Sequence, residues 1–185
     1  MDIKLSWLAG IVEGEGCFSL CKADDKRKHF VFNISITNTD LMILNECISI
    51  LKNIEVETHL HQRKVYFTHR KVGYNLVING IDNLIKTLNA IIPYLIGQKK
   101  SQAILMVEFL NRRKSLLDNN AGHSYRRIAY DEIDYSYLKA FQELKPITKP
   151  VETKRSLSHV DKVIVRTTNI DKIVDLSRNV SRLPI

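Results

Sequence analysis

Two glutamates separated by one glycine, Glu13-Gly14-Glu15, close an apolar run that opens with Trp7-Leu8-Ala9-Gly10-Ile11-Val12. The chain then passes through Gly16 straight into Cys17-Phe18-Ser19-Leu20. The run reads as a helix that stops at the acids and becomes a strand. A carboxylate at that point lies beside main-chain carbonyls that have lost their intrahelical partners and carry the negative end of the helix dipole. Carboxylate and free carbonyl together make a hard-oxygen site of the kind Mg²⁺ takes, so Glu15 is the first candidate for metal chemistry. Gly10 and Gly14 are four apart and share a helix face. With no side chain at either position, a second helix can approach backbone to backbone.

The segment Leu8–Gly16 closely resembles the motif of LAGLIDADG homing endonucleases, with Glu13 and Glu15 in place of two aspartates. Paired acids at a fixed offset, three glycines and a helix-to-strand switch make the match specific. An ordinary core helix needs only one capping glycine and gives no reason for a repeated Glu-Gly. The resemblance implies an α+β fold: an αββαββα core whose four-stranded antiparallel sheet is a DNA-binding saddle, followed by C-terminal helices. It implies a Mg²⁺-dependent endonuclease that hydrolyses both strands of double-stranded DNA at a long pseudo-palindromic site.

The sequence holds one copy of the motif and no internal repeat, and one-copy chains of this kind resemble those that assemble the site as a homodimer. Gly10 and Gly14 are therefore expected at the dimer interface, with two Glu15 carboxylates close together and divalent cations offsetting their repulsion. Glu15 and the main-chain carbonyl of Gly14 are the expected metal ligands. The resemblance carries two further residues into the catalytic set. Asn38, in Ile36-Thr37-Asn38-Thr39, matches the residue that positions the attacking water. Lys99, in Gly97-Gln98-Lys99-Lys100, matches a basic residue that polarises the site; one inserted residue in this stretch favours Lys99 and leaves Lys100 as the alternative. Where related sites offer an arginine one helical turn after the water-positioning residue, this chain has Met42.

The elements that must position these residues are legible as periodicities. Phe18 and Leu20 alternate with Ser19 and Cys21, and Phe30, Phe32, Ile34 and Ile36 alternate with Val31, Asn33, Ser35 and Thr37, which predicts two half-buried strands. Thr39 or Asp40 caps a helix through Leu41, Leu44, Ile48 and Leu51. Val56, Thr58 and Leu60 alternate with Glu57, His59, His61 and Arg63, and Leu76 and Ile78 with Asn75 and Val77, giving two more strands. An amphipathic helix through Leu84, Leu88 and Ile91 is stopped by Pro93. A longer one runs from Gln98 to Leu117, and a further helix from Asp131 to Leu144. Pro146 and Pro150 bracket a linker, so the reading divides the chain into a core with C-terminal helices, 1–148, and an extension, 149–185. That extension holds one candidate strand at 162–165 and one short helix around Ile170–Leu176.

The polar strand faces supply the expected DNA reader: Ser19, Cys21, Asn33, Ser35, His59, His61, Arg63 and Asn75 all lie opposite the apolar face and suit a major groove. Lys26 and Lys28, with Lys22, Arg27, Lys64, Arg70 and Lys71, fall at turns or edges where phosphate contact is expected. The formal net charge of +8 over 185 residues agrees with an anionic partner. No apolar stretch is long enough to span a bilayer, and the start of the chain lacks a signal-peptide layout. An odd number of cysteines, Cys17, Cys21 and Cys47, suits a reducing intracellular compartment, prokaryotic cytoplasm or organelle. The cysteine and histidine spacings do not complete a zinc set. Two other classes share the charge and strand pattern: an RNA-binding maturase that assists splicing of intron RNA without cutting DNA, and a regulatory DNA-binding module. Acidic Glu15 together with Lys99 favours the nuclease, since a pure binder gains nothing from carboxylates set against phosphate.

Overall fold

A computed structural model describes residues 2–23, 29–63, 71–119 and 128–144. The first helix, α1 (Ile3–Glu15), is opened by Asp2, whose Oδ1 accepts the N–H groups of Lys4 and Leu5 at 2.9 and 3.2 Å. Leu8, Ala9 and Val12 turn its inner side into the core. The change from helix to strand happens at Gly16, and sterics dictate a glycine there. A Cβ at that position would stand 2.5 Å from the Val12 carbonyl oxygen and 2.9 Å from its Cα.

Strands β1 (Gly16–Lys22) and β2 (Phe30–Asn38) follow, then α2 (Leu41–Asn53), β3 (His59–Gln62) and β4 (Tyr74–Ile78). The sheet order is β1-β2-β4-β3, antiparallel throughout. Asp40, not Thr39, caps α2, accepting the Met42 N–H at 2.8 Å. The third strand is shorter than the alternation from Val56 to Arg63 predicts. Glu55 takes a left-handed conformation (φ 56), and the Val56 N–H returns to the Leu51 carbonyl at 3.0 Å. That amide is therefore spent on closing α2 and cannot join the ladder, although Val56 itself stays buried. What remains of β3 is an exposed edge strand.

Helix α3 (Ile81–Ile91) gives way to a single 3₁₀ turn, Ile92–Tyr94, which houses Pro93 where no helical N–H is needed. The long helix α4 (Gly97–Asp118) and α5 (Glu132–Glu143) complete the order. The helices cover the sheet face that carries Phe18, Leu20, Phe32, Ile34, Ile36, Leu76 and Ile78, all buried. Helix α5 is pinned by a charge network. Arg113, only 1% exposed, donates to Asp134 Oδ2 at 2.9 Å and to the carbonyls of Ile128 and Ala129, with its guanidinium stacked 4.2 Å from the centroid of the Tyr130 ring. Arg112 bridges Asp134 and Asp131, and Asp131 and Asp134 close a capping box at the start of α5. Among the described residues no helix is long and apolar enough to cross a membrane. Lys26, Lys28, Arg27, Lys64 and Arg70, the linker after Leu144, the extension 149–185 and hence the proposed boundary at 148 lie outside the described residues.

Candidate active site and nucleic-acid face

The end of α1 is where Lys99 and the two acids of the motif come together. Its last carbonyls lie beyond the reach of intrahelical N–H donors. Two carbonyls of its last turn, that of Val12, which also accepts the Gly16 N–H, and that of Glu13, accept from the Lys99 Nζ at 2.6 and 2.5 Å. Lys99 sits in the first turn of α4, so a lysine from one helix closes the negative end of another. An ammonium has three protons. Two go to these carbonyls, and the third has no partner among the described residues. Partial burial pushes the Lys99 ammonium below its ordinary range; the nearby Glu13, Cys17 and Glu15 pull it back only in part. Lys100, the alternative, makes no such contact with α1.

The two acids of the motif differ in their contacts. Glu13 Oε1 accepts the backbone N–H of Ile96 at 2.8 Å, directly before α4. Glu15 is exposed and makes no hydrogen bond or ion pair among the described residues. Its carboxylate and the Gly14 carbonyl are hard-oxygen donors of the right chemistry for Mg²⁺. Yet no group of three His, Cys, Asp or Glu among the described residues could close a metal site.

Gly10 and Gly14 are both exposed, and a Cβ built at either meets nothing within 4 Å. Unlike Gly16, they answer to no constraint inside the chain. Ile3 (81% exposed) and Trp7 (38% exposed) lie on the same stripe, at spacings of four, three and four residues through Gly10 to Gly14. Helix α1 is therefore apolar or small on both sides, with one side in the core and the other uncovered.

Asn38 ends β2 opposite Tyr74, two residues beyond the Gly16–Ile36 pair that starts the sheet next to α1. Its Oδ1 accepts the Asp40 N–H at 2.9 Å, which fixes the turn into α2 and leaves its amide N–H₂ as the group able to act on a ligand. Met42, 80% exposed, follows on α2.

The register brings the expected reader residues onto one surface, because residues directly paired across strands share a face. Ser19 pairs with Asn33, Cys17 with Ser35, Cys21 with Val31, His61 with Asn75, and His59 with Val77. Arg63 continues the row, its N–H bonded to the Gly73 carbonyl at 2.8 Å. Among the described residues no helix covers this face. One residue that the alternation put on this face was left out of the reader set, and one link escaped the periodicity. Thr37 belongs to the same surface and donates from Oγ1 to Asn75 Oδ1 at 3.1 Å, orienting that amide. The Glu13–Ile96 bond joins residues 83 apart, a link no local pattern announces; the one hint is an isoleucine at an N-cap position that lacks a capping side chain.

Residues 8–108 match the family model described as LAGLIDADG endonuclease, a span that begins at the first residue of the motif and takes in more than half the chain. The chain belongs to the LAGLIDADG endonuclease family. Among solved structures, the fold is similar to that of the homing endonuclease I-CvuI in complex with its target in the presence of Ca. That similarity has 18% identity over 77% of this chain and 94% of that one, with a TM-score of 0.50. The archaeal intron-encoded homing endonuclease I-Vdi141I, complexed with DNA, gives 19% identity, 76% and 98% coverage and a TM-score of 0.47. The LAGLIDADG homing endonuclease I-GzeII, in complex with a DNA target, gives 15%, 85% and 55%, and 0.49. In this LAGLIDADG chain, α1 carries the motif, and the four-stranded antiparallel sheet and five helices follow the architecture expected of the family.

Proposed function

We propose that this chain is a site-specific DNA endonuclease that cuts both strands of a long pseudo-palindromic duplex, acting as a homodimer with Mg²⁺ in a reducing intracellular compartment. The observation that carries the reading is the end of α1. There an open carboxylate, Glu15, stands at the carbonyl end of the helix with a lysine that has one proton to spare, next to a sheet whose uncovered face is polar. Family membership supports the reaction class, and the complex of I-CvuI with its target in the presence of Ca supports a divalent cation. The bare Gly10–Gly14 stripe supports a second copy packed on α1, which would bring a second Glu15 to the site.

Glu15 and the Gly14 carbonyl of both copies would hold the cation, which when bound supplies Lewis-acid stabilisation of phosphate charge and an activated water. The chain's own groups do the rest. The remaining N–H of Lys99 donates to a phosphate oxygen or to the water beside it. The Asn38 amide N–H₂ orients that water, its oxygen being already fixed by Asp40. Ser19, Cys21, Asn33, Ser35, His59, His61, Arg63 and Asn75 read base edges, and Lys26 and Lys28 neutralise phosphates. The deciding experiment exposes a randomised plasmid library to the full chain with Mg²⁺ or with EDTA and sequences the cut ends. The reading requires metal-dependent cuts within a two-fold-related site, and sedimentation of the chain as a dimer. A monomer that cuts no DNA but binds intron RNA would replace it with the maturase.

A further inference from the structure

Helices α1 and α4 meet end to end, and each supplies what the other's terminus lacks. The carbonyl end of α1 is negative and is closed by Lys99 of α4. The amide end of α4 is positive; its N-cap residue is Ile96, with no side-chain acceptor, and its first residue, Gly97, sits at φ 57. The acceptor comes from α1 instead, as Glu13 Oε1 on the Ile96 N–H at 2.8 Å. The Ile96 side chain is 73% exposed, so its own packing does little to hold its amide, although Leu95 before it is buried and Gln98 after it donates to the Leu144 carbonyl. Without the Glu13 bond, the start of α4 would be an uncapped helix end following a left-handed glycine, and such ends fray.

From this reciprocal clasp we infer that Glu13 is a positioning residue for cleavage: by accepting the Ile96 N–H it seats the first turn of α4 so that Lys99 reaches the end of α1 beside Glu15. The inference rests on the endonuclease reading for its consequence but not for its geometry. It gives the two acids of the motif different tasks. Glu15 is left open for the metal, and Glu13 is consumed in holding the lysine in place. What matters at position 13 is a hydrogen-bond acceptor at that reach, so glutamine should serve and alanine should not.

The test compares full-length Glu13→Gln and Glu13→Ala with the wild type. Single-turnover cleavage and DNA affinity are measured on a site recovered from the plasmid library, and amide hydrogen exchange is followed over residues 95–99 without metal or DNA. Glu13→Ala is expected to slow cleavage at least tenfold at unchanged DNA affinity and to raise exchange at Ile96. Glu13→Gln is expected to stay within threefold of wild type with Ile96 still protected. If Glu13→Gln loses as much cleavage as Glu13→Ala, the charge and not the acceptor is what counts, and the inference fails. It fails equally if Glu13→Ala leaves Ile96 protected. A wild type that cuts no DNA would sink the endonuclease reading alone, because the exchange measurement still decides whether Glu13 seats α4.

Discussion

The two ends of α4 hold their charges in opposite ways. At the C-terminal end, Arg113 and Asp134 are almost wholly out of water, and Arg112, Asp131 and the carbonyls of Ile128 and Ala129 match them donor for acceptor. At the N-terminal end, Lys99 keeps one proton unspent and Glu15 makes no hydrogen bond or ion pair among the described residues. A buried network that satisfies itself rigidifies and specifies packing. A charged cluster left incomplete, at helix ends that face water, is open to completion by something else. The difference separates structure from chemistry on a single helix.

Glu15→Gln should break the comparison most sharply at the chemical end. It preserves size and removes the charge, so cleavage should fall by about four orders of magnitude, ~5.5 kcal/mol of barrier, while unfolding in urea and affinity for uncut DNA stay near wild type. Substantial Mg²⁺-dependent cutting by this variant would remove Glu15 from the metal site.

At the structural end, Asp134→Ala leaves the Arg113 guanidinium buried without its carboxylate. Removing one partner of a buried pair costs roughly 3–5 kcal/mol, read as a lower urea midpoint at unchanged slope. The protein that remains folded should still cut DNA. A stability loss under about 1 kcal/mol would show that the network does not hold α5 in place.

The sheet face offers an intermediate effect. Asn33→Ala or His61→Ala should change preference at matching base pairs in both half-sites, by roughly 1–3 kcal/mol for a good direct contact. Lys26→Ala should weaken all sequences alike and lower the salt slope by about one unit. A cleavage profile over every single-base-pair substitution separates the two. Uniform losses for Asn33→Ala and His61→Ala, with no positional signature, would mean that this face does not read bases.

The face of the sheet was legible because a strand's period of two fixes which residues share a surface, whichever partners the strand takes. Ser19, Asn33, His61 and Asn75 therefore fall together as the alternation predicts. The end of α1 was legible from one motif, since helix stop, acid and glycine lie within a few residues. The bond that sets Glu13 apart from Glu15 was not, because its donor is a backbone amide 83 residues away. The Arg113–Asp134 network escaped for the same reason: charged residues read as surface, and only the docking of α5 takes them out of water. The overlong third strand arose from a local competition, the Val56 amide serving α2 in preference to the ladder.

The smallest expected effect probes how far the saturated end depends on charge as against hydrogen bonding. Burial acts to raise the Asp131 carboxyl, but the Asp134 amide and the Arg112 guanidinium outweigh it and hold the group below the ordinary aspartate range. A carboxyl depressed in the folded state contributes stability that is present above its unfolded value, about 3.9, and is lost as the pH falls through the folded value. Asp131 is half exposed, so solvent screening limits the contribution to under about 1 kcal/mol. Asp131→Asn keeps an N-cap acceptor for the Asp134 N–H and deletes only the charge. Thermal unfolding followed from pH 7 down through the carboxylate range should therefore show the variant slightly less stable than wild type at neutral pH, with the gap closing in acid. No gap at any pH would mean that the bond to the α5 N-terminus, which the variant keeps, and not the ion pair with Arg112, is what Asp131 contributes.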